Sequence, residues 1–219
     1  MDWEGIWKNG LEVGERWDVG QPEPEFVYEL NNPQGVMLHR KRSRALVPGC
    51  GRGYAAKAAA DAGYDQVLAL DISPHAVAAA KETFKREKIS FEVGDFFAPL
   101  PAAAANGGYD LVLDSTFCTA LPPALRDGGA WAKQMQQVLA VGGVLMMHVF
   151  PIPLDGEELG IDLEGPPYLI TCDRVRELFA GLPFKEVLCR DIPEERSTRR
   201  QRPIRGKAVR DALMVWERI

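Results

Sequence analysis

The stretch Arg44-Ala45-Leu46-Val47-Pro48-Gly49-Cys50-Gly51-Arg52-Gly53-Tyr54 decides the fold. A short apolar run, Arg44 to Val47, stops at Pro48-Gly49, and an alanine-rich helical pattern, Tyr54 to Ala62, follows at once and closes at Gly63. The expectation is a strand, a glycine turn and a helix. Open parallel sheets take their ligands at the carboxyl end of such a strand.

Working outward, the same alternation continues. Gln66 to Leu70 reads as a second strand reaching Asp71, and Ser73-Pro74 caps a helix running to about Arg86. Ile89 to Val93 and Tyr109 to Leu113 are further strands, each closing on an aspartate, Asp95 and Asp114, with a small-residue linker at Ala102 to Gly108 between them. Pro122 to Leu139 reads as a helix stopped by Gly142-Gly143, and Val144 to Phe150 as a buried central strand. Residues 151–168 are rich in proline and glycine and read as a long loop beside the strand ends. A helix at Asp173 to Ala180 precedes strands near Phe184 to Arg190 and at Ala212 to Trp216, which predict an antiparallel edge hairpin. The class is α/β, with a doubly wound, Rossmann-like sheet.

The glycine turn discriminates among ligands. A dinucleotide fingerprint needs Gly or Ala three positions after Gly51, where this chain has Tyr54, and the GK[ST] ending of a phosphate loop is missing. Asp71, 20 positions after Gly51, is placed to accept from both hydroxyls of an adenosine ribose. Asp95 can accept from an adenine amine while Phe96 covers a ring face. A nucleoside without phosphates meets these conditions, and S-adenosylmethionine (SAM) is the cofactor they point to.

Composition bounds the rest. The 219 residues carry 26 Lys and Arg against 31 Asp and Glu, a net charge of -5, so no global field favours nucleic acid or an anionic membrane. With 46% hydrophobic residues the chain can build one core, yet no apolar run reaches membrane-spanning length and Met1 to Gly10 lacks a signal-peptide pattern. Cys50, Cys118, Cys172 and Cys189 are scattered, as are His39, His75 and His148, so no metal is assigned. The expectation is a cytoplasmic, monomeric, single domain over residues 1–219.

The chain resembles the thiopurine methyltransferase family, and within it the plant and fungal halide/thiol methyltransferases. The likeness lies in Trp3-x-x-x-Trp7 with Trp17-Asp18-x-Gly20-Gln21-Pro22, in Leu46 to Gly51, in Tyr109 to Cys118 with Ala120-Leu121-Pro122-Pro123, and in Gly165-Pro166-Pro167-Tyr168. The resemblance implies the seven-stranded methyltransferase sheet and an N-terminal helical lid, residues 1–30. It also implies cofactor contacts from Trp3, Trp7, Trp17, Gly49, Asp71, Asp95 and the Asp114-Ser115 corner. Cys50 and Gly51 in the turn, Ile72 beside Asp71, and Phe96 complete the candidate set. Ser115 departs from the aromatic residue that related halide/thiol enzymes often carry.

Methyl transfer from a sulfonium is an in-line displacement, so alignment and exclusion of water do most of the work. Three early tryptophans suit a lid, and a ring face near the sulfonium adds roughly 0.5 to 2 kcal/mol. Trp3 and Trp7, at i and i+4, also fit a plain docking helix. Phe117, Cys118, Leu121, Phe150 and the loop ending at Tyr168 form the expected acceptor side, with Tyr168 the candidate to orient a nucleophile or relay its proton. The acceptor class is a small sulfur or halide nucleophile.

One segment stands apart. Arg196, Arg199, Arg200, Arg202, Arg205, Lys207 and Arg210 carry seven positive charges without an acid between them. They read as a solvated hairpin connection, or as the phosphate track of a nucleic-acid or protein methyltransferase. Interleaved aromatics for base stacking are missing. A non-catalytic SAM-binding protein is a further alternative, while Tyr54 speaks against a dehydrogenase.

Overall fold

The computed structural model describes residues 1–85, 88–100, 107–154, 165–199, 204 and 206–219. Seven strands form one sheet in the order β3-β2-β1-β4-β5-β7-β6. They are β1 (Arg44–Pro48), β2 (Gln66–Asp71), β3 (Ile89–Val93), β4 (Tyr109–Asp114), β5 (Leu139–Pro153), β6 (Phe184–Asp191) and β7 (Val209–Arg218). The first five run parallel, and β7 lies antiparallel between β5 and β6. The edge hairpin expected from the sequence is therefore present. Strand order reverses between β1 and β4, which opens a crevice beyond their carboxyl ends.

Helices cover both faces. On one, Phe26 and Leu30 of α2 (Pro24–Asn31), the alanines of α3 (Tyr54–Asp61) and Val77 of α4 (Pro74–Thr83) pack on the sheet. α1 (Trp3–Lys8) lies against α4. On the other face, Trp131 and Met135 of α7 (Ala130–Val138) and Phe179 of α8 (Cys172–Phe179) make the second layer. Ser73 caps α4 by accepting from the Ala76 N–H, as its position before Pro74 predicts.

Two elements differ from expectation. The helix read over Pro122 to Leu139 is broken into α6 (Pro123–Arg126) and α7, because Gly129 adopts φ +81°. A short α5 (Phe117–Ala120) precedes them. The central strand is longer than Val144 to Phe150, since chain leaving α7 at Leu139 enters β5 directly and absorbs Gly142 at an irregularity opposite β4. The N-terminal 30 residues also divide: α1 and residues 9–22 lie outside the main core, whereas Phe26 and Leu30 are part of it.

Arg86, residues 101–106 with most of the linker read over Ala102 to Gly108, residues 155–164 of the loop over 151–168, and Arg200, Arg202 and Arg205 lie outside the described residues. Among the described residues no helix is long and apolar enough to cross a membrane.

Candidate functional site

The turn after β1 is built on glycine backbone. Gly49 and Gly51 have φ of +56° and +52°, a region costly for residues with a Cβ. A Cβ at Gly49 would come within 2.5 Å of the Phe117 ring, so this turn and α5 approach as closely as glycine allows. Cys50 donates its N–H to the Leu70 carbonyl at 2.8 Å, and burial pushes its thiol well above the ordinary range. It is a structural thiol rather than a nucleophile.

Asp71, at the end of β2, stands beside the turn. Its two carboxylate oxygens accept from the Gly51 and Ser73 N–H groups, each at 2.9 Å. Burial raises its pKa, opposed by those backbone bonds. Each oxygen has a further lone pair, so the carboxylate is pre-oriented and can still accept hydroxyls. Next to it Ile72, a large aliphatic side chain, is 60% exposed. An acid with an open apolar neighbour, facing a backbone cradle that a Cβ would fill, fits the ribose and base of SAM.

Asp95 is exposed after β3 and accepts from the Phe97 N–H at 2.9 Å, a turn bond that occupies one oxygen. Phe96 is not open beside it. Its ring is buried in the second core layer, edge-on to Phe117 at 5.3 Å between centroids, and the partly exposed ring at this corner is Phe97.

The corner after β4 has a different character from that expected. The Asp114 carboxylate is fully buried, accepting from the Cys118 N–H at 3.0 Å and from Trp131 Nε1 at 3.1 Å. Burial pushes it up to about 6. It anchors α5 under the site, so a ligand contact from this position would use the main chain. Ser115 is half-buried and Thr116 adopts φ +67° as the chain turns into α5. Cys118 is buried with its thiol pushed well up by desolvation, beneath the wall that Phe117 presents.

Tyr168 is half-buried and donates its N–H to the Thr119 carbonyl at 2.8 Å. Ile170 donates to the Pro151 carbonyl, and Arg126 Nη1 to the Leu169 carbonyl at 3.1 Å. The Tyr168 segment is thus tied to α5, α6 and the end of β5. Phe150 precedes Pro151 on that strand and is buried.

The tryptophans come together over the turn. Trp7 is buried, its ring 3.4 Å from where a Gly51 Cβ would stand. Trp3 meets Trp17 edge to face, with centroids 5.0 Å apart. Two sets of contacts that sequence reasoning missed hold this cover. Glu4 accepts from the Ser73 hydroxyl at 2.5 Å and meets His75 Nδ1. Arg52, from within the glycine turn, pairs with Asp18 at 2.7 Å, donates to the Leu11 carbonyl at 2.7 Å, and lies 5.4 Å over the Trp7 ring. An arginine inside a glycine turn was the available signal.

Among the described residues, three arginines of the segment are paired rather than solvated. Arg196 pairs with Glu25, Arg199 with Glu23 and Arg210 with Asp191, and Arg199 is only 6% exposed. Behind Glu23, His148 meets Glu23 at 3.5 Å and Asp211 at 3.0 Å in a buried cluster.

The chain matches a known family along nearly its whole length. The profile of the thiopurine S-methyltransferase family matches residues 2–219. The chain is 32% identical to thiocyanate methyltransferase 1 of Arabidopsis thaliana over 94% of its own length and 82% of that protein. It is 30% identical to a thiopurine S-methyltransferase of Pseudomonas putida, over 68% of this chain and 71% of that one. The N-methyltransferase NodS of Bradyrhizobium japonicum, solved with S-adenosylhomocysteine, shares the fold at TM-score 0.66 and 14% identity, covering 98% of this chain and 97% of that one. With its glycine turn, its acid at the end of β2 and a match along nearly its whole length, the chain belongs to the thiopurine S-methyltransferase family of SAM-dependent methyltransferases.

Proposed function

We propose that residues 1–219 form one domain, acting as a cytosolic monomer, that transfers a methyl group from SAM to a small soft nucleophile: a thiol, thiocyanate, halide or thiopurine. The observation that carries this reading is the packing of Trp7 on the Gly51 turn, with Trp17 beside it and Trp3 edge to face with Trp17, while Phe117 meets Gly49 in the same turn. The named acceptors of the relatives support it, thiocyanate in the plant protein and thiopurine in the bacterial one.

Bound SAM supplies an electrophilic methyl carbon on a sulfonium. In this reading the main chain at Gly49, Cys50 and Gly51 receives the amino-acid end, Asp71 and Ile72 hold the ribose, and Asp95 with the Phe96-Phe97 corner receives the base. The Asp114-Ser115 backbone closes the near side, and the tryptophans exclude water. Phe117 and Phe150, with Cys118 behind them, shape an apolar acceptor space in which a desolvated anion is more reactive than in water. Tyr168 orients the acceptor and passes its proton outward. A thiol with pKa near ~8.5 is partly ionised at neutral pH and needs no strong base.

The test is mass-spectrometric detection of methylated product from sulfide, thiocyanate, iodide, an aromatic thiol and a thiopurine. Product from one or more of these, dependent on enzyme and SAM, is the expected result. Binding of S-adenosylhomocysteine with no product from any of them would leave a non-catalytic SAM-binding protein instead.

A further inference from the structure

Trp17 and Asp18 are held from two sides by arginines of distant origin. Arg52 comes from the turn after β1 and takes the Asp18 carboxylate at 2.7 Å. Arg199 comes from the connection between β6 and β7 and donates Nη1 to the Trp17 carbonyl at 3.3 Å. The tryptophan in the cover is therefore tied to the cofactor half through one neighbour and to the hairpin half through its own backbone.

Arg199 does more than reach one carbonyl. Its Nε and Nη2 both donate to Glu23 Oε1, at 2.9 and 2.6 Å, and the Thr198 hydroxyl donates to the other Glu23 oxygen. Its guanidinium carbon lies 5.6 Å from the centroid of the Phe150 ring. One planar group thus meets the backbone of the cover, the residue that ends the cover segment, and the aromatic wall of the acceptor side. Burying an ion pair is at best a modest source of stability, so its placement here invites a role in geometry.

We propose that Arg199 is a positioning residue for methyl transfer, fixing the distance between Trp17 over the donor and Phe150 on the acceptor wall. This rests on the reading of those two rings given under Proposed function. In-line displacement tolerates little misplacement, since an error of about 1 Å costs roughly 100-fold in rate. Lysine cannot substitute, because a single ammonium on a flexible stem does not reproduce three N–H groups held in one plane.

The experiment compares wild type with Arg199→Lys and Arg199→Gln, using S-adenosylhomocysteine as the donor-site probe and sulfide, thiocyanate and iodide as acceptors. Each protein is labelled with 5-fluorotryptophan, and the Trp17 fluorine resonance is identified by its loss in Trp17→Phe. The expected result is a folded Arg199→Lys protein that binds the probe within about threefold of wild type but loses about tenfold or more in kcat/KM. Its Trp17 resonance should fail to reach the wild-type bound position when the probe is added. A folded Arg199→Lys protein with wild-type turnover and an unaltered Trp17 resonance overturns the proposal. Failure of both variants to fold also overturns it, by making Arg199 a folding residue alone. If wild type methylates none of the three acceptors, and neither an aromatic thiol nor a thiopurine, the acceptor reading fails. The Trp17 resonance then decides the Arg199 question by itself, an altered bound position supporting the proposal and an unaltered one overturning it.

Discussion

Arg52 and Asp18, 34 positions apart, join the glycine turn to the tryptophan cover by a 2.7 Å ion pair in which both side chains are largely buried. The asymmetry of their burial gives a directional prediction. Asp18 is 2% exposed at the side chain and Arg52 13%, so losing the arginine takes the guanidinium charge from a carboxylate held away from water. Arg52→Gln should open the cover at a cost approaching ~3 kcal/mol, read as faster proteolysis within residues 1–20 and a rise of about tenfold or more in the KM for SAM. Asp18→Asn should be milder, because Arg52 can turn outward. Equal effects from the two changes would show that the pair does not latch the cover.

Asp71 sits where the donor's ribose is expected, and its carboxylate also holds the Gly51 and Ser73 N–H groups. Asp71→Ala should weaken S-adenosylhomocysteine binding by about 1.5 to 3 kcal/mol, the scale for hydrogen bonds to a charged group. Because burial raises the pKa of this carboxyl, donor affinity should begin to fall on acidification at a higher pH than an ordinary aspartate would give. Calorimetry of Asp71→Ala, and of wild type across the acid range, reads the two parts, and an affinity independent of pH and of Asp71→Ala would place the ribose elsewhere.

The buried cluster behind the cover predicts a bounded pH range. For Glu23, burial pushes the pKa up, but the charges of Arg199 and His148 override it and hold the carboxyl well below its usual range. For His148, burial pushes down, while the charge of Glu23 and the hydrogen bond to Asp211 raise the net value above the ordinary one. Facing this imidazole are Glu23 before α2, Asp211 on β7, and Arg199 on the connection, with Ser197 bonded to Asp211. Glu23 thus contributes stability that is present above the usual carboxylate range and lost as pH falls through its depressed pKa. His148 contributes stability that is complete below the ordinary histidine pKa and is lost as pH rises through its raised value. The melting temperature should therefore decline on the alkaline side, and His148→Gln should flatten that decline. A parallel decline in the variant would assign it to other groups.

Legibility in the sequence followed the range of the interactions. The glycine turn, the place of Asp71 at the end of β2, the strand ends, the edge hairpin and the capped helix at Ser73 were readable because each depends on residues adjacent in the chain. What was not readable depends on pairing across the fold. Glu23 and Arg199 are 176 positions apart, and nothing local distinguishes a paired arginine from a solvated one. For the same reason the Asp114 carboxylate looked like a site acid, although Trp131 and the Cys118 N–H turn it inward. Which of the adjacent rings Phe96 and Phe97 is buried was not readable either, because only packing against Phe117 selects it.

Where the cover ends and the core begins can be found by truncation. Removing residues 1–20 takes away Trp3 and the small cluster of Trp7, Leu11 and Trp17, which packs on Ala76 and Ala79 of α4, apart from the main core. The remaining chain keeps Glu23, Glu25, Phe26, Glu29 and Leu30, so the buried ion pairs to Arg190, Arg196 and Arg199 survive. A protein starting at Gln21 should unfold cooperatively, yet lose most of its kcat/KM, because water enters and the donor is no longer covered. Removing residues 1–31 is a different matter. It deletes Phe26 and Leu30, both essentially inaccessible, each costing about 2 to 5 kcal/mol, and leaves Arg199 buried without its acid. Against a typical total of 5 to 15 kcal/mol, that loss should abolish folding. Circular dichroism melts of the two truncations read the difference. A fully active protein starting at Gln21 would remove the cover from the mechanism, and a stable one starting at Asn32 would remove α2 from the core.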